Sequence, residues 1–258
     1  MQWDRHKKAK KQISTIIEKY ENYRIIHYSC QSFSRVENGQ SAIITSVAIY
    51  SCVSDTTVSF DIQSVAERLQ IEYYDINKKI KQIETEMLKD FFDYIKQDRQ
   101  LIYLHWNMRD SQYGFQALSN RFSVLTGKKP EYEIPVNNQL NIARLLEDYY
   151  GFNYVADPKM KNIVVRNPEI KPKFMLDGLE EANAFDEGRY NDLHKSTLSK
   201  VRLFNNILIL TSDRKLKVST SRLKAFGVSP QVIFEMVKET WWWGILTFIL
   251  GAFLGKIF

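Results

Sequence analysis

Leu101-Ile-Tyr-Leu-His-Trp-Asn-Met108 is the stretch on which the fold turns. It starts as a short apolar run and ends abruptly in His105, Trp106 and Asn107. A helix-like run, Gly114-Phe-Gln-Ala-Leu118, follows at once. A buried strand that breaks into polar residues just before a helix is where open α/β sheets place chemistry or binding. The surrounding chain, from Tyr23 to Phe122, reads as the scaffold of that strand end: three β-rich runs, then a long charged helix, then the strand itself.

Upstream, residues 1–22 read as a helix with a basic front, its apolar face set by Ile13, Ile16, Ile17 and Tyr20 at helical spacing. Tyr23-Arg-Ile-Ile-His-Tyr-Ser-Cys30, Ala42-Ile-Ile-Thr-Ser-Val-Ala-Ile-Tyr50 and Thr56-Thr-Val-Ser-Phe-Asp-Ile62 are rich in β-branched and aromatic residues, as strands are. Short connections through Asn38-Gly39 and Ser54-Asp55 predict an antiparallel meander. Residues 64–97 read as helical with a break near 73–75. Ile80, Ile83, Met87, Leu88, Phe91, Phe92 and Ile95 form an apolar stripe that belongs to the core. Asp90, Asp93, Glu84 and Glu86 on the same helix read as solvated.

Downstream, a strand at 101–106 and a helix at 114–125 ended by Gly127 come first. A further helix is expected over 139–150. Pro158, Pro168 and Pro172 make residues 157–177 mostly irregular, and 179–204 reads as one long helix or two joined ones. Residues 205–210 form a last strand or a helix end. Arg214-Lys-Leu-Lys-Val-Ser-Thr-Ser-Arg-Leu-Lys224 is the strongest basic run outside the N-terminus.

With 258 residues the chain suits one large domain or one domain with appendages. Its net charge of +6 biases it toward nucleic acid or anionic membrane surfaces, although extra lysines more often form a solvated face. Cys30 and Cys52 are the two cysteines and sit in apolar runs, which argues for a reducing compartment. The basic N-terminus lacks the apolar run of a signal peptide, so the chain is expected to start in the cytoplasm. Phosphate-loop, dinucleotide, zinc-protease and G-x-S-x-G motifs are all missing from the sequence, so it supports neither nucleotide triphosphate hydrolysis nor serine hydrolase chemistry.

The end of the sequence differs in kind. Residues 240–255, Thr-Trp-Trp-Trp-Gly-Ile-Leu-Thr-Phe-Ile-Leu-Gly-Ala-Phe-Leu-Gly, carry no charge. A spanning helix needs about 20 apolar residues, with a lower limit of roughly 17. Lys256 can snorkel to the far interface, and Trp241, Trp242 and Trp243 suit the aromatic belt at the near one. Gly251-x-x-x-Gly255 offers a small-residue face for helix packing. The basic run before it predicts a single-pass C-terminal anchor with the body cytoplasmic. The competing reading is a buried helix of the globular core.

The order strand, strand, strand, helix, strand, helix is the front half of a ribonuclease-H-like fold. Ile83-Glu-Thr-Glu-Met-Leu-Lys-Asp-Phe-Phe-Asp-Tyr-Ile95, Leu101-Ile-Tyr-Leu-His-Trp-Asn107 and Gly114-Phe-Gln-Ala-Leu-Ser-Asn-Arg121 together resemble the 3′–5′ exonucleases of the DEDD class. The resemblance covers roughly residues 23–125 and, more loosely, 180–204. It implies an α/β fold, a ribonuclease-H-like mixed sheet flanked by helices, to which the chain adds one C-terminal transmembrane helix. The expected organisation is a basic helix at 1–22, the exonuclease-like domain at 23–212, a basic juxtamembrane segment at 213–239 and the anchor at 240–258.

Enzymes of that class hold two divalent ions on hard carboxylate oxygens. Their first two acids stand at i and i+2 on the first strand, one face of it. This chain offers Ser29 and Gln31 there. The acid expected soon after Asn107 has Asp110 as its nearest candidate, and Tyr113-Gly114 stands where the family has Phe-Asp. Tyr190-Asn-Asp-Leu-His194 puts His194 where the last acid belongs, with Asp192 two residues out of register. Three of the four histidines, His27, His105 and His194, fall at motif positions. They either form an atypical site with Asp110 or Asp192, for a transition metal or metal-free acid–base chemistry, or are structural residues at strand ends.

The candidate catalytic set is therefore His105, Asn107, Asp110, Asp192 and His194, and the candidate nucleic-acid contacts are Gln31, Trp106, Arg121 and Lys195. Three functions follow as expectations. One is a membrane-anchored, degenerate exonuclease-like domain that senses or binds nucleic acid, suited to a prokaryotic defence system. The second is an active membrane-bound nuclease, for which alone Mg or Mn is required. The third is an interaction module for a partner protein or a second copy, whose tail helix oligomerises and perturbs the membrane.

Overall fold

The three β-rich runs pair as neighbours. In the computed structural model, which describes residues 2–36, 40–109 and 112–220, β1 (Tyr23–Cys30), β2 (Ile44–Ser51) and β3 (Thr56–Asp61) form an antiparallel meander. The Asn38-Gly39 turn lies outside the described residues. On the other side of β1 runs β4 (Ile102–His105), parallel to it, with His105 opposite Ile26. A three-residue strand, β5 (Gln139–Asn141), lies parallel to β4 and completes a mixed sheet of order β3-β2-β1-β4-β5. Central strands buried on both faces read as near-continuous apolar runs, which is why β1 and β4 were visible in sequence.

Successive side chains of a strand face opposite ways, and the two faces carry separate cores. Ile26 and Tyr28 of β1 pack with α2 (Ile62–Arg68), α3 (Ile80–Ile95) and α4 (Phe115–Thr126). The α3 stripe supplies Ile83, Met87, Leu88 and Phe91 to that side. Tyr23 and Ile25 pack instead with α1 (Gln2–Glu18), α5 (Ile142–Tyr150), α6 (Lys159–Arg166) and α8 (Tyr190–Ser212). Glu84, expected to be solvated, is fully buried. Its carboxylate receives Arg121 Nε at 2.8 Å and the Ile44 backbone N–H at 2.7 Å, tying α3 to α4 and to the start of β2. Gly127, at φ +70°, ends α4 in the left-handed region that glycine tolerates.

Several boundaries differ from expectation for physical reasons. The helix expected from residue 139 begins at Ile142, because Gln139, Leu140 and Asn141 pair with β4 first. Asn141 then caps α5, its side chain accepting the Ala143 N–H. The proline-rich stretch is not wholly irregular. Pro158 precedes α6 rather than interrupting it, and α6 buries Ile163 and Val164. The late helical region is two helices, α7 (Gly178–Asp186) and α8, separated by Gly188 at φ +70°. Residues 205–210 continue α8. No helix among the described residues is long and apolar enough to cross a membrane. The anchor expected at 240–258, with Trp241, Trp242, Trp243, Gly251 and Gly255, falls outside the described residues.

Candidate functional site

Parallel β4 ends at His105 opposite Ile26 while β1 runs on to Cys30, and a cavity of about 730 Å³ opens past the end of β4 alongside that last part of β1. This is where an open α/β sheet leaves a crevice. His27, Ser29 and Gln31 reach it from β1 and the residue after it, Trp106 and Asn107 from the end of β4, and Lys200 from α8. Phe33, Tyr113, Met160 and Met175 add apolar walls, and the first turns of α7 close one side.

The floor is polar and internally satisfied. Lys200 Nζ donates to Glu181 Oε1 at 2.6 Å, and Ser196 Oγ donates to the same oxygen at 2.9 Å. Thr197 Oγ1 donates to the Leu193 carbonyl at 2.9 Å, so at 2.7 Å it accepts from Ser29 Oγ. Glu181 Oε1 is a second acceptor for Ser29, at 3.3 Å. One carboxylate and one ammonium thus stand where two metal ions would need several anionic oxygens. Among the described residues no group of three or more His, Cys, Asp or Glu is placed to hold a metal ion. The residues present do not fit a two-metal site.

His27 borders this floor and is neutral. Burial holds its pKa well below the usual imidazole value, and the charge of Lys200 pushes the same way. Tyr113 donates its phenol proton to the Tyr28 carbonyl at 3.1 Å, so the 3.3 Å contact with His27 Nδ1 is one in which the imidazole donates. Phe204 meets His27 edge-on at 5.5 Å, and Trp106 stacks on the same Phe204 ring at 5.5 Å and 18°. Cys30, at the cavity wall, is a thiol pushed up to about 12 by burial and then by Glu181.

The three motif histidines do not converge. His105 pairs with Ile26 and shares its face of the sheet, whereas His27, the next residue along β1, faces the other way. His105 Nδ1 accepts the Met108 N–H at 3.1 Å, and its ring meets Phe115 edge-on. It holds the turn after β4 and does not line the cavity. His194 lies beside β3, with Nδ1 at 3.2 Å from Asp61 Oδ2 and Nε2 at 3.0 Å from Ser59 Oγ. Asp61 also accepts the Ser64 N–H that begins α2.

Other nominated residues are placed as follows. Asn107 lines the cavity at φ +53°, a conformation asparagine adopts more readily than most residues. Its backbone N–H donates to Asn141 Oδ1 and its side-chain oxygen accepts from Asn141 Nδ2, both at 3.2 Å, which clamps β4 to β5. Gln31 lines the cavity and donates to the Arg35 carbonyl at 3.3 Å. Asp192 pairs with Arg189 at 2.7 Å in the first turn of α8, apart from the cavity lining. Arg121 is only 5% exposed, and its guanidinium is taken up by Glu84 and Ser41. Buried fork geometry of this kind leaves no face for a phosphate, which corrects its assignment as a nucleic-acid contact. Lys195 Nζ sits 5.7 Å over the Phe174 ring, with Lys173 Nζ at 5.2 Å from the same ring. Asp110 lies outside the described residues.

Sequence reasoning missed Glu181 and Lys200. A signal existed: Ser196, Thr197 and Lys200 form a polar stripe at i, i+1 and i+4 within a helix whose Leu193, Val201 and Phe204 are core. No family model matches the chain, no curated protein matches it in sequence, and no solved structure matches it in fold.

Proposed function

We propose that this chain is a ribonuclease-H-like domain that binds the end of a single nucleic-acid strand in the cavity past the end of β4, without metal-dependent cutting. The order of three strands, the helices α2 and α3, then β4 and α4 supports the fold reading. The observation that carries the functional one is the Lys200–Glu181 pair beneath Ser29, in place of clustered acids, within an aromatic-walled cavity. Cavities of about 300–1,000 Å³ with a few fixed polar groups suit small organic ligands. The local charges balance, Lys200 against Glu181 and Lys161 against Asp177, so the cavity favours a nucleobase or sugar over a polyphosphate. Met175 and Leu176 in its wall lead back along the chain to Lys173 and Phe174, where Lys195 also sits. A basic and aromatic track of this kind is what backbone contact and base stacking use. The apolar run at 240–258 supports a membrane tether that places the domain at the cytoplasmic face.

The test is binding of short fluorescent single strands across a salt series, together with a nuclease assay in Mg²⁺ or Mn²⁺. Binding weakens with salt and is lost when Gln31→Trp fills the cavity. Chelator-sensitive product formation, or affinity flat with salt, overturns the reading.

A further inference from the structure

We propose that Ser59, His194 and Asp61 form a second, metal-free site in which Ser59 is an activated nucleophile toward carboxylic esters. The three side chains make one hydrogen-bonded chain: Ser59 Oγ to His194 Nε2 at 3.0 Å, and His194 Nδ1 to Asp61 Oδ2 at 3.2 Å. A nucleophile, a base and a third group that orients the base is the recurring arrangement of acyl transfer, recognised by geometry and not by chain position. Here it arises because residues i and i+2 of a strand share a face, so one imidazole from α8 reaches both Ser59 and Asp61.

The electrostatics agree. An ionised carboxylate only accepts, so Asp61 selects the tautomer with the proton on Nδ1, leaving the Nε2 lone pair toward Ser59. Asp61 is held rigidly, 2% exposed, its oxygens also accepting from Ser64 N at 2.9 Å and Ser64 Oγ at 2.7 Å. Burial lowers the pKa of His194, Asp61 pulls it back up, and Lys195 lowers it, so the imidazole is the free base at neutral pH. Asp61 is buried, while His194, whose side chain is 18% exposed, and Ser59, on the edge strand, are both half-buried. Among the described residues β3 is an edge strand, paired with β2 alone.

In the step proposed, Ser59 Oγ forms a bond to the ester carbonyl carbon while its proton passes to His194 Nε2. The carbon–alkoxy bond then breaks, and the alkoxide leaves as an alcohol with that proton. Water next attacks the acyl-serine, His194 takes its proton, and the carboxylic acid departs as Ser59 regains its hydrogen. Asp61 is a positioning residue, acting through His194. The site is separate from the cavity and does not depend on the nucleic-acid reading.

The experiment treats the full chain with an alkyl fluorophosphonate and maps the modified residue by peptide mass spectrometry, with p-nitrophenyl acetate hydrolysis measured in parallel. The expected result is a label on Ser59, absent in Ser59→Ala, and at least about a hundredfold slower in His194→Gln. Asp61→Asn keeps a side chain that caps α2, so its thermal melt stays near wild type while labelling slows. No label on Ser59, or a label on Ser59 that persists at the wild-type rate in His194→Gln, overturns the proposal. Ser59→Ala removes one oxygen only and keeps the test decisive should His194→Gln fold poorly.

Discussion

Lys200 of α8 and Glu181 of α7 meet at 2.6 Å under the carboxyl end of β1, joining two helices that the turn at Gly188 folds against each other. Lys200 is 7% exposed and Glu181 18%, so neither charge is well solvated alone. Removing one partner of such a pair strands the other. Lys200→Met is expected to cost about 2–4 kcal/mol, somewhat below the range for fully buried pairs because Glu181 keeps some solvent. The double variant Lys200→Met/Glu181→Met is expected to recover most of that loss. Urea unfolding of the four proteins in the cycle measures it, and a double variant no better than the single one refutes the coupling.

His105 sets a pH dependence. Burial, then Arg109, lowers its pKa from 6.5 to about 4 in the folded chain. Below about pH 6.5 the unfolded state takes a proton that the folded state refuses, so stability falls as pH drops from there toward 4 and levels off below. The full effect is on the order of 3 kcal/mol. His27, also held neutral by burial, adds a contribution of the same sign. His105→Asn keeps an acceptor for the Met108 N–H and is expected to flatten the slope. An unchanged slope between pH 6.5 and 4 would show that His105 titrates normally.

What sequence revealed follows how local each determinant is. The runs at 23–30, 42–50 and 56–62 announced β1, β2 and β3 because β-branched density and short turns act within a few residues. The α3 stripe was equally plain. β5 was hidden because a three-residue edge strand is defined by its pairing with β4, which no pattern within Gln139-Leu-Asn141 records. Ser59 and His194 lie 135 residues apart and meet only because α8 crosses the sheet as far as β3. Glu181 and Lys200 meet only through the α7–α8 turn. The strand end at 105–107 was found, yet its two polar residues divide the work: Asn107 lines the cavity, while His105 turns to the opposite face and holds the chain.

Arg121 and Lys195 separate structural charge from contact charge. Arg121 gives its fork to Glu84 at 2.8 Å in the core, and burial raises the Glu84 pKa even against that neighbour. Arg121→Met leaves Glu84 unpaired and is expected to destabilise by about 3–5 kcal/mol, read as an earlier thermal or urea transition. Lys195→Gln is expected to leave stability within about 0.5 kcal/mol, as surface changes usually do. It should instead reduce the slope of log affinity against log salt for single strands by roughly 0.7, one phosphate contact. An unaltered slope removes Lys195 from the proposed track.

The membrane tether is tested by deleting residues 240–258. That segment carries one charge, Lys256, and three adjacent tryptophans suited to the headgroup boundary. Burying apolar surface contributes roughly 0.8 kcal/mol per CH₂, so a run with Ile245, Leu246, Phe248, Ile249, Leu250, Phe253 and Leu254 outweighs what the basic stretch at 214–224 adds by attraction to anionic lipid. The full chain is expected to stay in the membrane fraction after a high-salt wash, which screens the basic stretch but not the apolar run. The truncated chain is expected in the supernatant, still binding single strands with the same salt slope. Should truncation leave the partition unchanged while high salt releases both proteins, attachment is electrostatic and the anchor is wrong.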